Sequence, residues 1–120
     1  MATYDQLPVY KVAYKLLMQI YQLCGNMERT YRYTLGERII NDVIDLLQNI
    51  YRANCVPDKI AFIKAARENI LTVRLLLRVA HDSGQVGLKP FISASEQIES
   101  ISKQLTAWEK SYSKNVCPKT

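Results

Sequence analysis

The sequence predicts an all-α protein, an antiparallel up-down-up-down four-helix bundle. Four segments repeat apolar residues at three- and four-residue steps, the spacing of one helical face. Three short stretches of helix breakers divide them, which suits antiparallel neighbours. Only four Gly and four Pro occur in 120 residues, and they sit in separate clumps. That pattern fits long regular elements, not a many-turned β-sandwich.

The first helix is expected from about Pro8 to Cys24. Pro8 suits the first helical position, where its missing N–H is not needed. Val9, Val12, Ala13, Leu16, Leu17, Ile20, Leu23 and Cys24 then share a face. Gly25-Asn26 is a stop, because both residues tolerate the left-handed conformation. Thr34-Leu35-Gly36-Glu37 reads as a capping box opening the second helix. Ile39, Ile40, Val43, Ile44, Leu47, Ile50 and Tyr51 form its apolar stripe, and the helix is expected to end near Asn54. Val56-Pro57-Asp58 breaks the pattern, and a third helix follows from about Asp58 to His81 or Asp82. After the turn Ser83-Gly84-Gln85-Val86-Gly87, a fourth runs from about Lys89-Pro90 to near Lys110. Phe91, Ala94, Ile98, Ile101, Leu105 and Trp108 make its seam. Residues 1–112 thus read as a single domain, with 113–120 as a short basic C-terminal tail.

Composition narrows function. Apolar residues are 48% and charged residues 22%, ordinary values for a globular chain. No apolar run approaches the roughly 18–20 residues of a membrane span, and the N-terminus lacks a signal-peptide layout. Cys24, Cys55 and Cys117 are odd in number and form no C-x-x-C pair, so the expected setting is reducing and cytoplasmic. The net charge of +5 points toward an anionic partner.

Helix three has too much to bury. At about 100° per residue, Phe62, Ala66, Ile70, Val73, Leu77 and Ala80 form the core stripe. Lys64, Arg67, Arg74, Arg78 and His81 occupy a separate basic arc, interrupted by Ile60, Ile63 and Leu71. Leu71 and Leu75 lie beyond that arc, away from the core. They are either ordinary surface leucines beside a solvated face or an oligomer interface beside an anion-binding surface. Arginine suits the second role, since its planar fork holds phosphate at two points. Lys11 and Lys15 on helix one extend the basic surface. Tyr10, Tyr14 and Tyr21 form a neighbouring stripe, which reads as core rim or subunit contact. Arg29-Thr30-Tyr31-Arg32-Tyr33 interleaves basic and aromatic residues as a single-stranded nucleic-acid site would.

Catalytic material is sparse. Asp42 and Asp45, with Glu37 nearby, are the only carboxylate group to test as a site, and Arg38 neutralises part of it. There is no P-loop, no Glu-x-x-His pair and no nucleophile with a histidine base. The lone histidine, His81, reads as a contributor to a helix end. No metal or cofactor is expected.

Three stretches then carry a resemblance: Arg32-Tyr33-Thr34-Leu35-Gly36-Glu37-Arg38, Val73-Arg74-Leu75-Leu76-Leu77-Arg78-Val79-Ala80-His81-Asp82, and Leu105-Thr106-Ala107-Trp108-Glu109-Lys110-Ser111. In order and spacing, over about residues 8 to 112, they resemble the accessory variability determinant family of diversity-generating retroelements. That family is grouped with four-helix-bundle proteins related to those of 23S rRNA intervening sequences. The resemblance implies a basic homopentamer that is not an enzyme and binds reverse transcriptase, RNA and DNA during mutagenic retrohoming. By position, Arg74 and Arg78 match the family's basic helix-three residues, and Leu35-Gly36 and Trp108 match structural landmarks. Lys64, Arg67, Lys11 and Lys15 come from the face analysis alone. Helix two reads Arg38-Ile39-Ile40-Asn41-Asp42-Val43-Ile44-Asp45-Leu46, unlike the Ser-Ile-x-x-Asn-Ile-Ala-Glu-Gly of the intervening-sequence branch. The alternatives are a protein of that branch, or an oligomeric scaffold without a nucleic-acid role.

Overall fold

A computed structural model describes the backbone of residues 4–116 and the side chains of residues 5–112. Four long helices account for most of it: α1 (Pro8–Gly25), α2 (Glu37–Cys55), α3 (Ile60–Asp82) and α4 (Leu88–Val116). No strand occurs among the described residues. A 3-10 turn, Tyr4–Gln6, precedes α1, and a helical turn (Arg29–Tyr31) followed by a π-helical turn (Arg32–Gly36) leads into α2. Residues 117–120 of the expected tail lie outside the described residues, whereas α4 continues six residues past Lys110.

Each helix buries one stripe. Val9, Ala13, Leu16, Ile20 and Cys24 of α1 meet Ile39, Val43, Leu46, Leu47, Ile50 and Ala53 of α2 in one core. Ala66, Ile70, Val73, Leu77 and Ala80 of α3 join it, with Ala94, Ile98, Ile101 and Leu105 of α4. α1 packs on α2 and α4, and α3 packs on the same two, so α1 and α3 stand across the diagonal. The molecule is elongated, 53 × 23 × 21 Å.

Several expectations are corrected. Ile63 is fully buried and Phe62 only half-buried, because the α3 stripe keeps alternating three- and four-residue steps back from Ala66, which puts residue 63 and not 62 on the core side. Tyr51 is exposed, and Leu46 takes a buried place on α2. Thr34 is no N-cap: its hydroxyl donates to the Thr30 carbonyl at 2.7 Å. The chain is already helical there, and the Glu37 N–H that a cap would serve is bonded to Arg32. Asn26 closes α1 with φ −95°, in the right-handed region. The left-handed turn falls instead at Gly84, φ +79°, after α3. Without a Cβ, Gly84 takes this conformation at no steric cost.

The α3–α4 turn is locked by His81. Its Nδ1–H donates to the Val86 carbonyl at 2.8 Å, and its ring stacks on Phe91 with centroids 4.4 Å apart. The two connections at this end of the molecule are joined, since the Glu28 N–H donates to Gln85 Oε1 at 2.8 Å.

Candidate nucleic-acid and subunit interface

Along α3 the basic positions face α4. Lys64, Arg67 and Arg74 line a groove of about 390 Å³ with Glu68, Leu71 and Ser102. The groove exists because residues 67 and 74, two helical turns apart, flank the buried stripe on its α4 side. Both arginines are paired there. Arg67 donates to Glu109 at 2.7 Å, and Arg74 to Glu99 at 2.6 Å. One turn on, Arg78 reaches along its own helix to Asp82 at 3.1 Å.

The predicted arc is therefore a row of guanidinium groups already holding carboxylates. All three pairs are solvent-exposed, and such pairs contribute about 0–1 kcal/mol. A phosphate presenting several acceptors can compete for them. Among the described residues, Lys64, Lys11 and Lys15 have no carboxylate partner, and all three are exposed.

The structure does not bring all six basic candidates together. Lys15 lines a separate groove between α1 and α4, with Met18, Gln19, Tyr21, Gln22, Ser93 and Gln97. Glu99 and Glu109 were missed by sequence reasoning, since nothing local in α4 marks them as partners of α3.

Leu71 and Leu75 lie where expected: they are 58% and 61% exposed. Val79, unremarked in the sequence, continues their line one turn on and is also exposed. A second exposed apolar stripe, Tyr14, Met18 and Tyr21, lies on α1, across the diagonal.

Asp42 and Asp45 lie three residues apart on α2. Asp42 is half-buried, and its Oδ2 lies 3.4 Å from Arg38 Nε without a well-formed hydrogen bond. Burial raises its pKa above the usual carboxylate value; Arg38 works against this and Asp45 adds to it. No cluster of three His, Cys, Asp or Glu able to hold a metal occurs among the described residues. Burial also pushes the Cys24 thiol up to about 11, so it stays protonated at neutral pH. No helix among the described residues is long and apolar enough to cross a membrane.

Fold and surface define a helical protein that presents a groove where Lys64 stands beside Arg67 and Arg74, both paired with carboxylates, and exposed apolar stripes. A family model described as bAvd-like matches residues 8–112. The chain belongs to this family of accessory variability determinants, and is an accessory protein of diversity-generating retroelements. No curated protein matches it.

Proposed function

We propose that the chain is a non-catalytic accessory protein whose basic homo-oligomer holds reverse transcriptase together with template RNA and cDNA in mutagenic retrohoming. The observation that carries this reading is the α3 surface, where exposed Leu71, Leu75 and Val79 run beside the Lys64–Arg67–Arg74 groove. Burying the leucines against a neighbouring subunit removes apolar area from water, at about 25 cal/mol per Å². It also repeats the Lys64, Arg67 and Arg74 side chains around the assembly, where phosphate can displace the carboxylate partners of the two arginines. Each phosphate neutralised releases about one counterion, so repetition raises affinity steeply at low salt. The second stripe on α1 favours a head-to-tail contact, which closes into a ring such as a pentamer.

An antiparallel up-down-up-down course belongs to the same reading. From Arg67 to Arg74 along α3, the partner on α4 falls from Glu109 to Glu99. Consecutive helices are joined by short connections, as in such bundles. Residues 1–112 then act as one domain, and the reducing setting favoured by unpaired Cys24 and Cys55 suits the cytoplasm. The kinship with 23S rRNA intervening-sequence proteins stands as the alternative ancestry, and a scaffold without nucleic acid as the alternative role.

The test uses purified protein, light scattering and anisotropy of labelled RNA, DNA and hybrid duplex across salt. Arg74→Glu with Arg78→Glu should leave circular dichroism unchanged and abolish nucleic-acid and polymerase binding. Leu71→Asp with Leu75→Asp should give monomers. Wild-type protein that is monomeric and indifferent to polyanions at low salt overturns the proposal. A reverse transcriptase gene with paired variable and template repeats beside this gene distinguishes it from the intervening-sequence alternative.

A further inference from the structure

We infer that Tyr33, with Arg29, forms a stacking site for an unpaired base of single-stranded nucleic acid at the α1–α2 end of the molecule. This rests on the nucleic-acid reading above and adds a site separate from the α3–α4 groove. The fold sorts the Arg29–Tyr33 segment residue by residue. Arg32 is engaged with backbone, donating to the Gly25 and Met27 carbonyls at 3.2 Å each. Thr30 and Thr34 are joined to one another through the 2.7 Å hydroxyl–carbonyl bond. Tyr31 is half-buried against the core. Arg29 and Tyr33 are the exposed basic and aromatic residues of the segment, four residues apart, with the Arg29 guanidinium 5.9 Å from the Tyr33 ring centre.

Fold stability gives little reason for that pair. Tyr33 is 57% exposed, and a cation–π contact in water at this distance is weak. Arg29 also differs from the arginines of α3. Arg67, Arg74 and Arg78 each hold a carboxylate, whereas Arg29 has none within ion-pair distance among the described residues. The segment thus offers an exposed tyrosine ring, with the Arg29 guanidinium over one face, and that guanidinium holds no carboxylate among the described residues. These are the two groups that a base and its adjoining phosphate require. A paired base within a duplex does not expose its face, so the site selects single strands.

The platform is also held still. The π-helical turn Arg32–Gly36 continues into α2, and the Glu28–Gln85 bond ties the preceding residue to the α3–α4 turn. An exposed ring on an anchored turn loses less freedom on stacking than one on a loose loop.

The test compares Tyr33→Leu and Tyr33→Phe with wild-type full-length protein. The probes are a single-stranded oligonucleotide carrying 2-aminopurine, whose fluorescence falls on stacking, and a labelled duplex of the same sequence. Tyr33→Leu should bind the single strand roughly five- to 150-fold more weakly and lose the quench. Tyr33→Phe should keep both, and duplex affinity should stay within about twofold in each variant. Tyr33→Leu that binds and quenches the single strand like wild type overturns the site, as does equal loss on single strand and duplex. Wild-type protein that binds neither probe overturns the wider nucleic-acid reading as well. Wild-type binding of both probes with no dependence on Tyr33 removes this site alone.

Discussion

Asn49 of α2 donates its side-chain amide to the Asn69 Oδ1 of α3 at 2.8 Å, in a half-buried seam between the two helices. A polar pair in an otherwise apolar contact fixes register more than it adds stability, since a net hydrogen bond contributes about 0.5–1.5 kcal/mol. Asn49→Ala and Asn69→Ala should each lower stability. In urea unfolding, the double variant should show a coupling of about 0.5–1.5 kcal/mol. Strict additivity would mean the amides contribute nothing to one another.

Gly36 closes the π-helical turn against Cys24, and a Cβ there would stand 3.1 Å from the Cys24 Sγ. Its φ of −61° is ordinarily helical, so only space excludes a side chain. Gly36→Ala alone should destabilise the protein by about 1–2 kcal/mol through overpacking against a buried thiol. In a Cys24→Ala background the same change should be neutral or stabilising by up to about 1 kcal/mol, as alanine favours helix over glycine. Thermal melts of the four variants test this reversal of sign.

Asp42 makes stability depend on pH in a direction opposite to most carboxylates. Its folded pKa is raised, first by burial, so the folded state holds the proton more tightly than the unfolded chain. Its contribution is greatest below the unfolded value of about 3.8. The contribution is then lost as pH rises through the raised folded value. Asp42→Asn should accordingly raise the urea midpoint at neutral pH relative to wild type, with the difference closing below about pH 3.8. A gap that stays constant from acid to neutral pH would refute this account.

Glu99 and Glu109 restrain the groove arginines. Glu99→Gln with Glu109→Gln removes two negative charges and frees Arg74 and Arg67, while leaving hydrogen-bonding side chains in place. Polyanion affinity at low salt should rise, and the slope of log affinity against log salt should steepen by about one to two units. Stability should change by less than about 1 kcal/mol, because the pairs are exposed. An unaltered slope would show that neither arginine meets phosphate.

The local pattern determined the four helices and most of their buried residues. Periodic apolar positions such as Leu16, Ile50, Leu77 and Leu105 have only one way to leave water together. Their ends were less legible where partners are remote. Thr34 reads as a cap because the π-helical turn that contains it, and that supplies acceptors for the first α2 amide, has no sequence mark of its own. Leu71 and Leu75 were legible as surplus apolar surface, since a helix in a bundle buries one face and these lie on another. The charge state of the groove was not: the sequence places Arg67 and Arg74 in a basic arc, but their partners Glu109 and Glu99 lie 42 and 25 residues away, on α4. Helical period sets which residues share a side of one helix, whereas only the packing of α3 on α4 decides what faces them.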